Sequence, residues 1–227
     1  HAVDYRDATP YRGKRMLVVG AGNTGGEIAL DLAEQGCTVS LCIRSPLHVI
    51  PRSFLGRPTQ VTGVALRKAP LWFRDWMSLR VSKLTYRDLD ALGIRRPDLG
   101  VYSMIEKKRK IPLIDIGTID MIRQGKVTVR PAIDRFDATH AHYRDGSSDE
   151  LDGVVLATGY RSGLERWVEG AEAIIDEQGY PVPTYGETSL PGLYTLGYAN
   201  VAGGLLRQIA IDAPKLAALI QDRARHA

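Results

Sequence analysis

The feature that most constrains the fold is the segment "RMLVVGAGNTGGEIALDLAEQG" at residues 15–36. It opens with a short apolar run, Arg15–Val19, of the kind that is buried on both faces of a parallel sheet. A glycine-rich turn follows, then a helical pattern that ends at Gly36. A second apolar run, Thr38–Ile43, comes directly after it. This order predicts a β-turn-α-β unit and therefore a Rossmann-like α/β fold.

The glycine-rich turn has the G-x-G-x-x-G spacing, with Gly20, Gly22 and Gly25 in the three glycine positions. In dinucleotide sites the first glycine permits a tight turn, the second lets the backbone approach a pyrophosphate, and the third allows close packing of helix on strand. The helix N-terminus then presents N–H groups to the phosphates. We therefore predict a dinucleotide site, although a purely structural glycine turn has the same spacing. The further cofactor contacts predicted beside these glycines are Asn23, Thr24 and Glu27.

The end of the second strand indicates which dinucleotide binds. NAD sites usually place a carboxylate about 20 residues after the glycines, where it accepts a hydrogen bond from the ribose 2′-OH. Here the sequence has Arg44 and Ser45 at that place, and Arg52 follows in the next loop. A guanidinium matches a 2′-phosphate, so the pattern favours NADPH. The alternative is that Arg44 is a solvated loop arginine.

Composition excludes several classes of protein. The net charge of +4 is too small to indicate nucleic-acid binding. The longest apolar runs have strand length, so we expect no transmembrane segment, and the first residues lack the apolar core of a signal peptide. Cys37 and Cys42 are badly spaced for a disulfide or a metal site, which favours two buried thiols in a reducing cytoplasm.

Residues 53–110 are basic and contain scattered aromatic residues, and we interpret them as an insertion in the nucleotide-binding domain. One partly amphipathic helix is expected there. We favour a packed helix with a solvated basic face, and a membrane-surface or partner-docking helix is the alternative. The charge run "EKKRK", Glu106–Lys110, is expected to be a solvated loop. The residues that indicate the helix are Leu71, Trp72, Asp75, Trp76, Leu79 and Lys83.

The sequence offers no recognisable side-chain catalyst. His140 and His142 lie two apart on an expected hairpin strand that turns at Asp145–Gly146, and no acidic or cysteine companions suggest a metal site. No Ser-His-Asp set or spaced carboxylate pair occurs. Catalytic residues therefore stay unassigned, as is typical of enzymes in which a flavin or nicotinamide carries the chemistry.

The pattern in the last third of the chain predicts a second place where strand ends and a helix start face a cofactor. A buried strand ends in the turn "ATGY", and "LPGLYTLGY" at residues 190–198 reads as a strand ending in glycine. A helix is expected from about Gly204, with Pro214 as a kink or a break in it.

Several segments in this order resemble the class B flavin-dependent monooxygenases. These are "GKRMLVVGAGNTGGEIALDLAEQG", "IRSPLHVIPR", "LGIRRPDLG", "IPLIDIGTIDMIRQGKV", "DGVVLATGYRS" and "LPGLYTLGY". The resemblance covers essentially the whole chain. It is strongest to the YUCCA-type branch, which oxidises indole-3-pyruvate, and extends to related bacterial flavoprotein monooxygenases.

The resemblance implies the two-dinucleotide-binding-domain flavoprotein fold. Family members carry an N-terminal glycine fingerprint for FAD and a second one for NADPH, which follows a His/Tyr motif that His1 and Tyr5 match in part. The glycine turn here corresponds to the NADPH site. No FAD fingerprint occurs, so the expected FAD site is incomplete and an N-terminal FAD-binding half is missing. The implied domains are a linker at 1–14, an NADPH-binding domain at 15–160 that contains the insertion, and a C-terminal segment of the FAD domain at 161–227.

Two further groups of cofactor contacts are implied by the resemblance. The turn after the buried strand would link the two domains, and Gly197 lies where the C-terminal segment closes over the flavin. The residues of the linking turn are Ala157, Thr158, Gly159 and Tyr160.

The implied function is that NADPH reduces FAD and a C4a-hydroperoxyflavin oxygenates a small organic substrate. The resemblance leaves the substrate unidentified and a homo-oligomer open. One alternative is a stand-alone or degenerate NADPH-binding module without catalysis of its own. A second is a relative of the pyridine-nucleotide disulfide reductases, which would need a redox pair of cysteines that the spacing here does not supply.

Overall fold

The structure is a computed structural model that describes residues 1–199 and 201–226. The chain forms two compact units. The first consists of His1–Thr59 and Lys68–Gly159, and the second of Gln60–Arg67 with the described residues from Tyr160 onward.

In the described part of the chain the α-helices are α1 Asn23–Glu34, α2 Thr59–Ala65, α3 Leu71–Thr85, α4 Val101–Lys108, α5 Thr118–Arg123 and α6 Leu205–His226. The strands are β1 Arg15–Val19, β2 Thr38–Cys42, β3 Val49–Pro51, β4 Ser53–Phe54, β5 Arg57–Pro58, β6 Leu113–Asp115, β7 Val127–Arg130, β8 Ile133–Phe136, β9 His140–Tyr143, β10 Ser148–Glu150, β11 Gly153–Leu156, β12 Gly186–Glu187 and β13 Tyr194–Thr195. Short 3-10 helices span Ala2–Asp4, Thr9–Tyr11, Leu66–Lys68, Leu164–Arg166 and Ala171–Ala173.

A parallel sheet of four strands is the centre of the first unit, in the order β11-β1-β2-β7. In the middle strand β1, Met16 and Val18 are buried with Ile28 and Leu32 of α1, in one hydrophobic cluster. The helix α1 connects β1 to β2. This arrangement confirms the predicted β-turn-α-β unit and the α/β class.

A second hydrophobic cluster lies on the other face of the four-stranded sheet. Its buried residues are Leu17, Cys42, Ala141 and Tyr143. It includes residues of the antiparallel sheet β10-β9-β8. The hairpin predicted around Asp145–Gly146 is confirmed by the pairing of β9 with β10. The short strand β8 pairs with β9 in this sheet.

The N-terminal residues pack on α1 and the neighbouring strand. The Tyr5 hydroxyl donates to Asp31 Oδ2 at 2.6 Å, and the Cys37 thiol donates to the Tyr11 carbonyl oxygen at 2.9 Å. Ala8 is fully buried. Tyr5 of the predicted His/Tyr motif is therefore fixed against α1.

The insertion differs from the sequence-based expectation in one element. Glu106, Lys107 and Lys108 of the predicted loop form the last turn of α4, so the loop assignment was wrong there. The reason is a long-range cap: Asp75 of α3 accepts hydrogen bonds from the backbone N–H of Tyr102 at 2.7 Å and from Ser103. A carboxylate at the N-terminus and lysines at the C-terminus both favour a helix.

His48 is buried beside the insertion. Its Nε2 lies 2.7 Å from the Leu99 carbonyl oxygen, which requires a protonated Nε2. Burial lowers the pKa of the imidazole from its ordinary 6.5, while nearby Asp75 raises it and Arg96 lowers it to smaller extents. The folded protein therefore holds His48 in the neutral form.

This burial predicts a pH dependence of stability. The contribution of His48 is expected to be complete above pH 6.5, the ordinary value. It should be lost as the pH falls through the lower pKa of the folded state, because the unfolded chain takes up a proton first. Urea unfolding across the acidic range measures this effect. A His48→Gln variant, which does not titrate, should lack this part of the slope, and identical slopes for both proteins would contradict the prediction.

The second unit contains the β12–β13 pair and the helix α6. The predicted strand at 190–198 is reduced to Tyr194–Thr195. The helix starts at Leu205, as predicted, and continues through Pro214, so of the two expected outcomes, a kink or a break, the break does not occur. A proline removes one backbone donor, and the remaining hydrogen bonds of a 22-residue helix can continue on both sides. In the described part of the chain no helix is both long and apolar enough to span a membrane.

Candidate dinucleotide site

The candidate site lies at the edge where the four parallel strands of the first unit end. The chain passes from β1 to β2 on one side, whereas β11 pairs with β1 on the other. A position where the strand order reverses in this way is where open α/β sheets bind ligands. The glycine turn follows β1 at this point, and Ala157 follows β11.

Gly20 makes the tight turn that the sequence predicts. Its φ is +105°, a region that favours glycine. A Cβ atom at this position would lie 2.5 Å from the Ala157 carbonyl oxygen. The backbone N–H of Ala157 also donates to the Val19 carbonyl oxygen at 2.9 Å. The turn therefore packs directly on the end of β11, which leaves no room for a side chain.

Gly25 and Gly22 differ in what surrounds them. A Cβ atom at Gly25 would lie 1.8 Å from the Gly20 carbonyl oxygen, so this glycine is needed for the helix to approach the turn. A Cβ atom at Gly22 would meet nothing within 4 Å. Gly22 is the N-cap of α1 and is exposed. Open space at this position leaves the backbone accessible to a phosphate.

The start of α1 supplies the groups that such a ligand needs. An α-helix leaves its first N–H groups without intrahelical partners, and these groups carry partial positive charge. Thr24 and Glu27 are exposed in the first two turns. The Asn23 side chain is instead engaged within the protein, because its Oδ1 accepts a hydrogen bond from the Ile114 backbone N–H at 2.8 Å.

Arg44 and Ser45 are exposed two and three residues beyond the end of β2. The glycine turn is tied to the same strand end, because the Gly20 N–H donates to the Cys42 carbonyl oxygen at 3.1 Å. This bond places the predicted 2′-phosphate residues next to the turn along the sheet edge. No acidic residue occurs between Cys42 and Arg52 in the sequence.

Arg52 lies on a different element from Arg44 and Ser45. It follows β3, and its N–H donates to the Asp115 carbonyl oxygen of β6 at 3.2 Å. The paired strands β3 and β6, called the β3–β6 arm below, carry Arg52 at their end. Asn23 accepts a hydrogen bond from Ile114 of β6, so this arm is connected to the start of α1. Sequence reasoning placed Asn23 among the cofactor contacts and missed this connection.

Gly26 is a structural residue of the site that sequence reasoning missed. A Cβ atom there would lie 2.6 Å from Leu113 Cδ1, and the Gly26 carbonyl oxygen accepts a hydrogen bond from the Thr118 hydroxyl at 2.9 Å. Gly26 thus lets α1 pack against β6 and α5. The extra glycine in "NTGG" was the signal that could have identified it.

The remaining predicted contacts are not all brought together. Thr158 and Gly159 are exposed and follow Ala157 in the first unit, whereas Tyr160 begins the second unit. Gly197 lies in the second unit before α6. A Cβ atom there would lie 3.1 Å from Ile209 Cδ1, so this glycine permits close packing of the helix.

The other chemically reactive side chains have structural partners. Cys37 and Cys42 are free and buried, and burial raises the pKa of both thiols, so both stay protonated at neutral pH. His142 Nε2 lies 2.7 Å from Asp137 Oδ2, and this contact is the largest cause of a lowered pKa of Asp137.

The site can therefore bind a phosphorylated ligand without supplying a reactive side chain. Backbone N–H groups at the start of α1 fit a pyrophosphate, and the open direction at Gly22 leaves room for it. The exposed guanidinium of Arg44 fits a further phosphate.

Comparison with known proteins gives a consistent result. The model of the flavin-binding monooxygenase-like family matches residues 1–175. The chain is 36% identical over 220 residues to the probable indole-3-pyruvate monooxygenase YUCCA9 of Arabidopsis thaliana, a match that covers 96% of this chain and 51% of the relative. The chain thus spans about half the length of the curated relatives it matches.

Two solved structures share the fold. One is a variant of the flavin monooxygenase from Stenotrophomonas maltophilia, with a TM-score of 0.57, 18% identity, and coverage of 98% of this chain and 53% of that one. The other is cyclohexanone monooxygenase from Rhodococcus sp. Phi1 bound to NADP⁺, with a TM-score of 0.52, 16% identity, and coverage of 96% and 54%.

Proposed function

The chain belongs to the flavin-binding monooxygenase-like family, and on that basis we propose that it is the NADPH-binding portion of a flavin-dependent monooxygenase. The observation that carries the proposal is the glycine turn after β1. Gly20 and Gly25 have no room for a side chain, whereas the position above Gly22 is open. This combination is the one that close approach of a pyrophosphate to the backbone needs.

The choice of NADPH over NADH rests on charge. Arg44 and Ser45 follow β2 where an NAD site would have a carboxylate, and Arg44 is exposed. We assign Arg44 to the 2′-phosphate, with Ser45 beside it and Arg52 as a second cation from the β3–β6 arm. The NADP⁺ ligand of the Rhodococcus cyclohexanone monooxygenase agrees with this choice.

The chain's own residues bind and orient the dinucleotide. The N–H groups at the start of α1 hold the pyrophosphate, and Asn23 keeps α1 in register with β6. Bound NADPH supplies a hydride. The 227 residues contain no second G-x-G-x-x-G segment, so we assign no step to FAD, and the role of Gly197 near a flavin stays a prediction.

Titration of the purified chain with NADPH and NADH tests this function. We expect NADPH to bind more tightly, because the 2′-phosphate gains charge-assisted hydrogen bonds. The chain is expected to purify without stoichiometric flavin. Equal affinity for both nucleotides, or no binding of either, would overturn the proposal.

The second candidate is a stand-alone NADPH-binding module, which the match to about half of each relative keeps open. The two candidates differ in turnover. A monooxygenase portion should consume NADPH when the FAD-binding segment of a family member is supplied. A binding module would bind NADPH equally well and leave it unconsumed under the same conditions.

A further inference from the structure

The outward face of α3 carries two large exposed aromatic side chains that the proposed function does not use. Trp72 is 70% exposed and Trp76 is 51% exposed. Residues four apart lie on the same side of a helix, so the two indoles are neighbours. Contiguous exposed apolar side chains mark interaction surfaces, and tryptophan is enriched in them.

The side of α3 that faces the protein includes polar residues. Its polar residues Asp75 and Ser82 face the protein: the Asp75 carboxylate caps α4, and the fully buried Ser82 hydroxyl donates to the Val49 carbonyl oxygen at 2.8 Å. A surface helix normally buries its apolar stripe and exposes its polar one. Here the inward hydrogen bonds fix the helix with its aromatic side outward.

The exposed aromatic side is also ordered. The ring of Phe73 lies 5.8 Å from that of Trp72 in an edge-on contact and 6.0 Å from that of Trp76 in a stacked one. The Arg80 guanidinium lies 5.5 Å from the Trp76 ring centroid. These contacts hold the indoles in place and lower the entropic cost of binding a surface.

The same face is basic. Arg80 and Lys83 are exposed one and two turns beyond Trp76, and Lys68 and Arg87 are exposed just outside the two ends of α3. Asp75 is the one acidic residue in the sequence of this helix, and it faces α4. The surface therefore combines indole rings with positive charge and has no acidic group of its own helix to offset it.

We propose that this Trp–basic face of α3, formed by Trp72, Trp76, Arg80 and Lys83, docks on an anionic phospholipid surface. Indoles prefer the headgroup region of a bilayer because their rings are apolar and their N–H groups are polar. Lysine and arginine beside them attract anionic headgroups. The helix lies along the surface, with its axis in the interface plane.

Vesicle co-sedimentation of the purified chain tests the proposal. Vesicles of phosphatidylcholine mixed with phosphatidylglycerol should bind the chain, and vesicles of phosphatidylcholine alone should bind it far more weakly. The Trp72→Ser, Trp76→Ser double variant should reduce the partition coefficient at least about tenfold. Arg80→Gln and Lys83→Gln should each reduce it by roughly fivefold, and added salt should weaken binding of the parent chain.

The chain provides matched controls. Trp167 is 69% exposed in the second unit, so Trp167→Ser removes an equally exposed indole from elsewhere and should leave binding unchanged. Lys126→Gln removes an exposed charge outside α3 and serves the same purpose. In a Trp167→Phe background, tryptophan fluorescence reports Trp72 and Trp76 alone and should shift to the blue on vesicles.

Three results would overturn the proposal. The first is equal partition onto neutral and anionic vesicles, and the second is a Trp167→Ser loss as large as that of the double variant. The third is the absence of binding to anionic vesicles. Self-association that the double variant abolishes would in that case identify the face as a contact between copies of the chain. Circular dichroism of each variant verifies that the fold is retained.

Discussion

Gly25→Ala is expected to destabilise the first unit by about 3 kcal/mol or more, because the new methyl group would overlap a backbone carbonyl. The Cβ position lies 1.8 Å from the Gly20 oxygen, and neither atom belongs to a flexible side chain. Relief requires that α1 move away from β1, which disturbs the core around Ile28 and Val18. Urea unfolding followed by circular dichroism measures the loss, and affinity for NADPH should fall with it.

Gly22→Ala is the matched control, since it adds the same methyl group three residues earlier. Its Cβ would meet nothing within 4 Å, and φ is −74°, so stability should change by no more than about 1 kcal/mol. Affinity for NADPH should still fall roughly tenfold, because the methyl group occupies the direction from which the pyrophosphate approaches. If Gly22→Ala proved as unstable as Gly25→Ala, the assigned geometry of the turn would be wrong.

Arg44→Ala is expected to weaken NADPH binding at least tenfold and to leave NADH binding unchanged. A hydrogen bond to a charged group contributes about 1.5–3 kcal/mol, which corresponds to this factor or more. Only NADPH carries the 2′-phosphate. The ratio of the dissociation constants of NADPH and NADH therefore isolates the contact between Arg44 and that phosphate. Isothermal titration calorimetry at fixed ionic strength measures both constants.

Two further variants make the Arg44 experiment specific. Arg144→Ala removes another exposed arginine of the first unit and should alter neither constant. Arg52→Ala should give a selective but smaller loss if the β3–β6 arm supplies a second cation. Equal weakening of NADPH and NADH by Arg44→Ala would show that Arg44 acts on the structure of the site and not on the 2′-phosphate.

Much of this site could be predicted from the sequence because its determinants are local. The turn after β1, the helix α1 and the strand β2 follow one another without interruption, and Gly25 packs against Gly20 only five residues earlier. The position of Arg44 just beyond the end of β2 follows from the length of that strand alone. Backbone geometry at such short range leaves few alternatives.

The less local features could not be predicted in this way. Asn23 and Ile114 lie 91 residues apart, and no periodic pattern indicates that one side chain would hold the other backbone. Asp75 and Tyr102 are 27 residues apart, so the cap that makes Glu106–Lys108 helical was equally hidden. Such contacts depend on how separate elements pack, which sequence periodicity does not encode.

The sequence by itself determined the glycine turn after β1, the prediction of a 2′-phosphate contact at Arg44 and the family resemblance, because each depends on residue types at fixed short spacings. Only the tertiary structure decided which side of α3 faces the protein. The sequence predicts a packed helix with a solvated basic face and does not fix where its tryptophans lie. Buried carboxylate and hydroxyl groups must be hydrogen-bonded. Asp75 and Ser82 find their partners inside, so Trp72 and Trp76 face outward.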